Sequence, residues 1–182
     1  MIFITGVHGV GKTYICRQLA QDIIVYSASK LIEQYVQIRY NGYKKAYDLD
    51  DNQNYLIYAV NQKENEGEKF ILDGHFCLFN ANGDIERISY EVFNKLNIEG
   101  IILLWSEEET IQKRIQQREK KSEILSLYEI FELQKQEMEY AKEVALKLNI
   151  PLILIDTNAE TTVPKCKQFI AELWKSYREK CM

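Results

Sequence analysis

The chain has 182 residues, 46% of them hydrophobic and 27% charged, which suits one domain, residues 1–182, with a core of its own. Its 23 basic and 27 acidic residues give a formal charge of −4 and a pI near 5.4, so a large basic footprint for nucleic acid is not expected. No apolar run approaches the ~20 residues of a membrane span and the amino terminus shows no basic leader, so no membrane partner and a cytoplasmic location are expected.

Met1-Ile2-Phe3-Ile4 predicts a first strand, and it runs directly into GVHGVGKT, residues 6–13. The octet fits G-x-x-x-x-G-K-[ST] between a strand and a helix-like pattern, the context of a phosphate-cradling P-loop. Gly6, Gly9 and Gly11 carry no Cβ to obstruct a polyphosphate, so backbone N–H groups can turn inward as a nest. The helix that opens near Lys12 adds the positive end of its dipole. Lys12 is expected to bridge the β- and γ-phosphates and the Thr13 hydroxyl to hold Mg²⁺. His8, Val10 and Tyr14 complete the loop's lining.

Ile15, Leu19 and Ile23 give the first helix one buried stripe, and Ile23-Ile-Val-Tyr26 reads as the second strand. Ser27 or Ser29 would cap a second helix, which frays toward the turn signal at Asn41-Gly42. Asp50 with Gln53 makes a capping-box-like start for a third helix, with Leu56, Ile57 and Val60 buried and Gly67 at its stop. Phe70-Ile-Leu-Asp73 is a strand ending in a carboxylate. Residues 74–88 then form a loop, and one of about 15 residues in a compact domain is more often functional than idle.

Gly100-Ile-Ile-Leu-Leu-Trp105 lacks polar alternation, as a parallel strand covered on both faces should. Ser106 with Glu109 forms a capping box for the next helix, where Arg114 and Arg118 share a face. A long helix over about 123–149 is expected to bury Leu127, Phe131, Met138, Ala141, Ala145 and Leu148. Pro151-Leu-Ile-Leu-Ile-Asp156 is the fifth strand, and a last helix carries Phe169, Ile170, Leu173, Trp174 and Tyr177 inward. The cysteines, Cys16, Cys77, Cys166 and Cys181, are widely spaced and are expected to be reduced and mostly structural.

Five strands alternating with helices predict an α/β three-layer domain, a parallel sheet with helices on both faces. Ligands of such sheets bind beyond the carboxyl ends of the strands. That rim would gather the P-loop, Ser27 to Ser29, Asp73 to His75, Ser106 with the arginine helix, and Asp156 to Asn158. Asp73 is placed to organise Mg²⁺, and the arginine pair could stabilise charge on a transferring phosphoryl group. The end of the second strand offers no acid before Glu33. Transfer to an alcohol benefits from a carboxylate base and transfer to a phosphate does not, which tilts the acceptor toward a nucleotide. Asp48, Asp50 and Asp51 could still fold back into the site.

These residues resemble the nucleoside monophosphate kinases, and more closely the archaeal-type and nuclear adenylate kinases. GVHGVGKT is similar to their P-loop, Phe70-Ile-Leu-Asp-Gly-His75 to their strand ending in D-x-H, and Ile111-Gln-Lys-Arg-Ile-Gln-Gln-Arg118 to their lid helix. The run I-L-D-G-H-F also resembles small bacterial ATP-binding proteins of AAA type. The resemblance implies strand order 2-3-1-4-5, ATP on the P-loop and backbone near Asn158 beside the adenine. It implies an acceptor-binding segment at about 27–66, a short lid at about 112–124 and Arg114 and Arg118 as lid cations. Glu33 stands about where such enzymes carry an acceptor-binding arginine, leaving Arg39 or Arg87 as substitutes, with Ser29 and His75 also on the acceptor side. In relatives with D-x-H the histidine is linked to ATP hydrolysis; the alternative is a histidine that satisfies backbone groups beneath the loop.

The leading expectation is therefore phosphoryl transfer from Mg·ATP to a nucleoside monophosphate. The rival is an ATPase or ATP-dependent switch acting with a protein or RNA partner, and a hydroxyl kinase is a third reading.

Overall fold

Apolar runs with β-branched residues become the strands of one parallel sheet, each covered by helices. The computed structural model of the protein describes residues 1–40, 49–118 and 125–180, with side chains left aside at 35–40, 49–51, 118 and 176–180. Strands β1 (Ile2–Thr5), β2 (Ile24–Ser27), β3 (Phe70–Asp73), β6 (Gly100–Trp105) and β7 (Leu152–Asp156) form the sheet, in the order β2-β3-β1-β6-β7. All four pairings are parallel. Apart from the separate two-stranded hairpin of β4 (Cys77–Phe79) and β5 (Ile85–Arg87), this is the expected order. The register sets Ile4 and Ser27 opposite Asp73 and Thr5 opposite Leu103, so the carboxyl ends of the strands share one rim.

The helices are α1 (Lys12–Leu19), α2 (Ala28–Tyr40), α3 (Leu49–Asn65), α4 (Tyr90–Lys95), α5 (Glu108–Arg118), α6 (Leu127–Leu148) and α7 (Thr162–Lys180). α7 lies against β7 and α1, while α6 runs along β6 and touches the hairpin, α4 and α5. Within residues 112–124, the expected lid, 119–124 fall outside the described residues.

Two expectations change. Residues 74–88 are not a plain loop: they fold into the hairpin, turned at Gly83 with φ 85°, and the Ile88 amide bonds back to the Phe76 carbonyl at 2.9 Å. The strands are three residues each, too short for a periodic signal. In α6 the buried stripe is Ile130, Leu133, Gln134, Glu137, Tyr140, Ala141, Val144 and Ala145, leaving Leu127 and Phe131 exposed. Two polar residues sit inside that stripe and disguise its phase. Its amino end is closed by a capping box between Ser126 and Glu129, and its carboxyl end by Asn149 in the left-handed conformation.

Between the sheet and α6 lies an aromatic cluster. Phe3 meets Phe76 and Phe93 edge-on at 5.1 and 5.8 Å, and Phe76 and Phe93 approach at 4.5 Å. Cys16, Cys77 and Cys166 are buried and unpaired, and burial pushes their thiols up to about 12, 12 and 11, as inert structural cysteines require. Cys181 and the Tyr177 side chain lie outside the described residues.

Phe93 is 1% exposed, and Phe93→Ala should lower the free energy of unfolding by about 3–5 kcal/mol in urea denaturation; a loss under about 1 kcal/mol would show the cluster to be peripheral.

Candidate functional site

Thr5 ends β1, and residues 6–11 turn the chain from strand to helix. Gly9 and Gly11 take φ of 81° and 108°, conformations that side-chain-bearing residues rarely adopt. A Cβ at Gly9 would also stand 2.7 Å from Ile115 of α5, so the loop is pressed between its ligand face and a helix. Gly11 caps α1 without a side-chain hydrogen bond, and the Lys12 and Thr13 amides in the first turn have no carbonyl one turn earlier to bond. The open end of a helix with its dipole is thus presented to an anion.

Lys12 is buried, and all three of its donors are engaged. Its Nζ stands 3.0 Å from Asp73 Oδ1, donates to the Gly74 carbonyl at 2.6 Å and lies 3.0 Å from His75 Nε2. Burial first, then the charge of Lys12, pushes the His75 pKa down to about 3, while a hydrogen bond to the Gly6 backbone opposes the shift. The ring is therefore neutral near pH 7, and its Nε2 accepts from the ammonium, which can only donate. His75 thus satisfies groups beneath the loop and also faces the site.

Glu137 and Gln134 were hidden in the helical stripe. Glu137 accepts from the Thr5 hydroxyl, from the Phe76 amide at 3.0 Å to either oxygen, and from the Cys77 amide at 2.6 Å. Burial pushes its carboxyl above the ordinary range, while these donors and Lys12 pull the other way. Gln134 pairs with the Ser106 backbone in both directions, at 3.2 and 3.0 Å. The one sequence signal for either was a polar residue in phase with Ile130, Leu133 and Ala141.

At the β7 end of the rim, Arg114 Nη1 donates to the Val10 carbonyl at 2.6 Å and to Thr157 Oγ1 at 3.0 Å, and Nη2 donates to Asn158 Oδ1 at 2.9 Å. Thr157 donates to the same Val10 carbonyl at 2.7 Å, and Asn158 Nδ2 donates to Ser106 Oγ at 2.9 Å. The Ser106 hydroxyl is thus turned to Asn158, and α5 begins at Glu108. Arg114 and Thr157 clasp the back of the P-loop together, with Asn158 holding Arg114 from the far side. In this arrangement the Arg114 guanidinium bridges the P-loop and the loop after β7. Val10 contributes its carbonyl here, its side chain being fully buried.

Arg87 donates to Glu143 at 3.3 Å and Gln136 at 2.9 Å and lies over the Tyr140 ring at 4.9 Å, so here it is held by α6. The side chains of Arg39 and Arg118 lie outside the described residues. Tyr14 is largely exposed beside the loop.

A cavity of about 420 Å³ extends from the P-loop toward α2, α3 and α4. His8, Gly9, Gly11, Lys12 and Thr13 border it on one side, with Asp73 and His75 beside them. Ser27, Ser29, Asn52 and Gln53 add neutral hydrogen-bonding groups, and Phe3, Ile32, Leu56, Leu78, Val92 and Phe93 make much of the wall apolar. Thr13 and Asp73 offer a hydroxyl and a carboxylate to the same space, hard oxygen donors that fit Mg²⁺.

A glycine loop opening a helix at the carboxyl rim of this sheet, with a lysine facing the aspartate of the neighbouring strand, defines a P-loop domain of kinase-like fold. The profile of a family described as AAA domain matches residues 5–130, and the chain belongs to that family. Similar solved structures include a gluconokinase from Sinorhizobium meliloti 1021, at 12% identity over 100% of this chain and 97% of that one with a TM-score of 0.58. A shikimate kinase from Acinetobacter baumannii in complex with shikimate is 16% identical over 96% and 93% of the two chains, with a TM-score of 0.56. Deoxyadenosine kinase from M. mycoides, with products bound, is 16% identical over 94% and 100%, with a TM-score of 0.55. At these identities the likeness is one of fold. No curated protein sequence matches the chain. Among the described residues, no helix is long and apolar enough to cross a membrane.

The His75 shift has a sign. Its ordinary value is 6.5 and its folded value about 3, so below pH 6.5 the unfolded chain takes up a proton that the folded one refuses. His75 should cost no stability above that pH, and stability should fall as pH drops from 6.5 toward 3. Urea unfolding of the ligand-free protein across this window should show His75→Gln with a slope shallower by about one proton; parallel slopes would refute the assignment.

Proposed function

We propose that the protein is an ATP-dependent phosphotransferase that passes the γ-phosphoryl group to a nucleoside monophosphate held in the cavity beside the P-loop. The carrying observation is that Lys12, Thr13 and Asp73 border the same cavity whose far wall is apolar. ATP phosphates would lie in the nest, with Lys12 exchanging its present partners for phosphate oxygens. Mg²⁺, held by Thr13 and Asp73, would neutralise charge between the β- and γ-phosphates. Arg114 and Asn158 would border the adenine end.

The acceptor base suits the apolar wall, with Ser27, Ser29, Asn52 and Gln53 available to its polar edge. Asp73 is the one carboxylate among the described residues lining the cavity, and it is paired with Lys12 at 3.0 Å, so among those residues no second acid is available to deprotonate an alcohol. A phosphate acceptor is already anionic. Catalysis then rests on in-line positioning and on cations around the transferred group, a role left to Lys12 and Arg118. The adenylate kinase likeness of the P-loop, D-x-H strand and arginine helix supports the same reading.

A hydroxyl acceptor is the second reading. It is favoured by Arg87, whose turn toward α6 leaves Lys12 as the one lysine or arginine among the described lining residues.

The deciding experiment incubates the protein with Mg·ATP and, separately, each common ribo- and deoxynucleoside monophosphate, the nucleosides and simple sugars, and follows ADP and the phosphorylated product. A diphosphate product, with saturable inhibition by diadenosine pentaphosphate, is expected. A phosphorylated alcohol would establish the second reading, and no product above background would end both. Lys12→Ala should lower turnover by about a hundredfold or more.

A further inference from the structure

Glu137 is 1% exposed in the middle of α6, and nothing in the proposed transfer step requires an acid there. Burying a carboxylate costs several kcal/mol unless its oxygens are satisfied, and an apolar residue of similar size would serve stability as well or better. Both oxygens are satisfied, and by a telling set of donors. Thr5, whose hydroxyl donates to Oε1, immediately precedes Gly6. Phe76 and Cys77, whose amides bond at 3.0 and 2.6 Å, immediately follow His75. One side chain thus joins the residue that enters the P-loop to the residues that leave the Asp73-Gly74-His75 segment. Other links across the site are the Gly74 amide on the Ile4 carbonyl at 3.1 Å, the His75 hydrogen bond to the Gly6 backbone and the bonds of Lys12 itself.

We propose that Glu137 is a positioning residue for the phosphate site, fixing the spacing between the P-loop, with Thr13, and the segment that carries Asp73. It touches no reacting atom. It acts through Thr5 on one side and through the Phe76 and Cys77 amides on the other. The inference rests on the reading of Thr13 and Asp73 as the pair that receives Mg·ATP, and not on the identity of the acceptor. Without the carboxylate the P-loop keeps its own nest of amides, so nucleotide alone should still bind. What weakens is the alignment of two oxygens from separate loops on one cation, and a groups' displacement of an ångström is enough for that.

The test measures ATP affinity by calorimetry with Mg²⁺ and with EDTA, beside urea unfolding, for the intact protein, Glu137→Gln, Thr5→Val and Thr5→Ser. In Glu137→Gln the tightening of ATP binding by Mg²⁺ should shrink about tenfold while the affinity in EDTA stays within about twofold, as expected for a residue that orients metal ligands from behind. Thr5→Val should lose part of the tightening, and Thr5→Ser, which keeps the hydroxyl, should retain it. An unchanged Mg²⁺ effect in Glu137→Gln, or a loss equal in Mg²⁺ and EDTA, overturns the proposal. Should Glu137→Gln fail to fold, Thr5→Val decides, and full tightening in that variant is overturning. A protein that binds Mg·ATP more tightly than ATP but phosphorylates no acceptor would refute the transferase reading and leave this one standing.

Discussion

The ammonium of Lys12 is the interaction on which the site depends. It is buried where a cation without partners would be untenable, and it is held by a carboxylate, a carbonyl and an imidazole that converge from the end of β3. This fixes where β3 must end relative to α1, and so which strands can be neighbours of β1. It also adds to the burial that keeps the histidine neutral: a second cation beside Lys12 would be repelled, whereas a neutral ring supplies a lone pair. Each of the three contacts is of a kind that a phosphate oxygen can replace, so the same geometry serves an empty and a filled site.

A second constraint is closeness of packing behind the loop. Arg114 and Thr157 converge on the Val10 carbonyl, and α5 stands against Gly9. The P-loop is thereby supported from α5 and from the loop after β7, two elements distant in sequence. On its other side the aromatic cluster of Phe3, Phe76 and Phe93 forms part of the cavity wall and of the core. Core packing and the shape of the cavity are therefore not independent here.

Much of this was legible in the residues. The five strands are uninterrupted apolar runs, and the P-loop motif specifies its own backbone, so the parallel sheet and the gathering of Lys12 and Asp73 at one rim followed from local pattern and the rim rule. The hairpin at Cys77–Phe79 and Ile85–Arg87 did not, because three-residue strands leave no period to detect. The α6 stripe was misphased because Gln134 and Glu137 occupy core positions, and their partners are backbone groups that no side-chain pattern announces. The surroundings of Arg87 were hidden for a related reason. Its proximity to the D-x-H segment in sequence said nothing of the hairpin that carries it out to Glu143 and Tyr140.

The central position of β1 has a consequence for synthesis. Ile2, Phe3 and Ile4 pair with residues 71–73 on one side and 100–102 on the other, and all of these pairings are parallel. β1 therefore precedes both of its neighbours in the chain, and the second of them, β6, follows long after β3. At ~5–20 residues per second an apolar segment waits on the order of ten seconds before its second partner is made. Long-range parallel pairing is slow in its own right. The sheet cannot close around β1 until β6 has been made, so the residues that border the cavity come together from segments synthesised far apart.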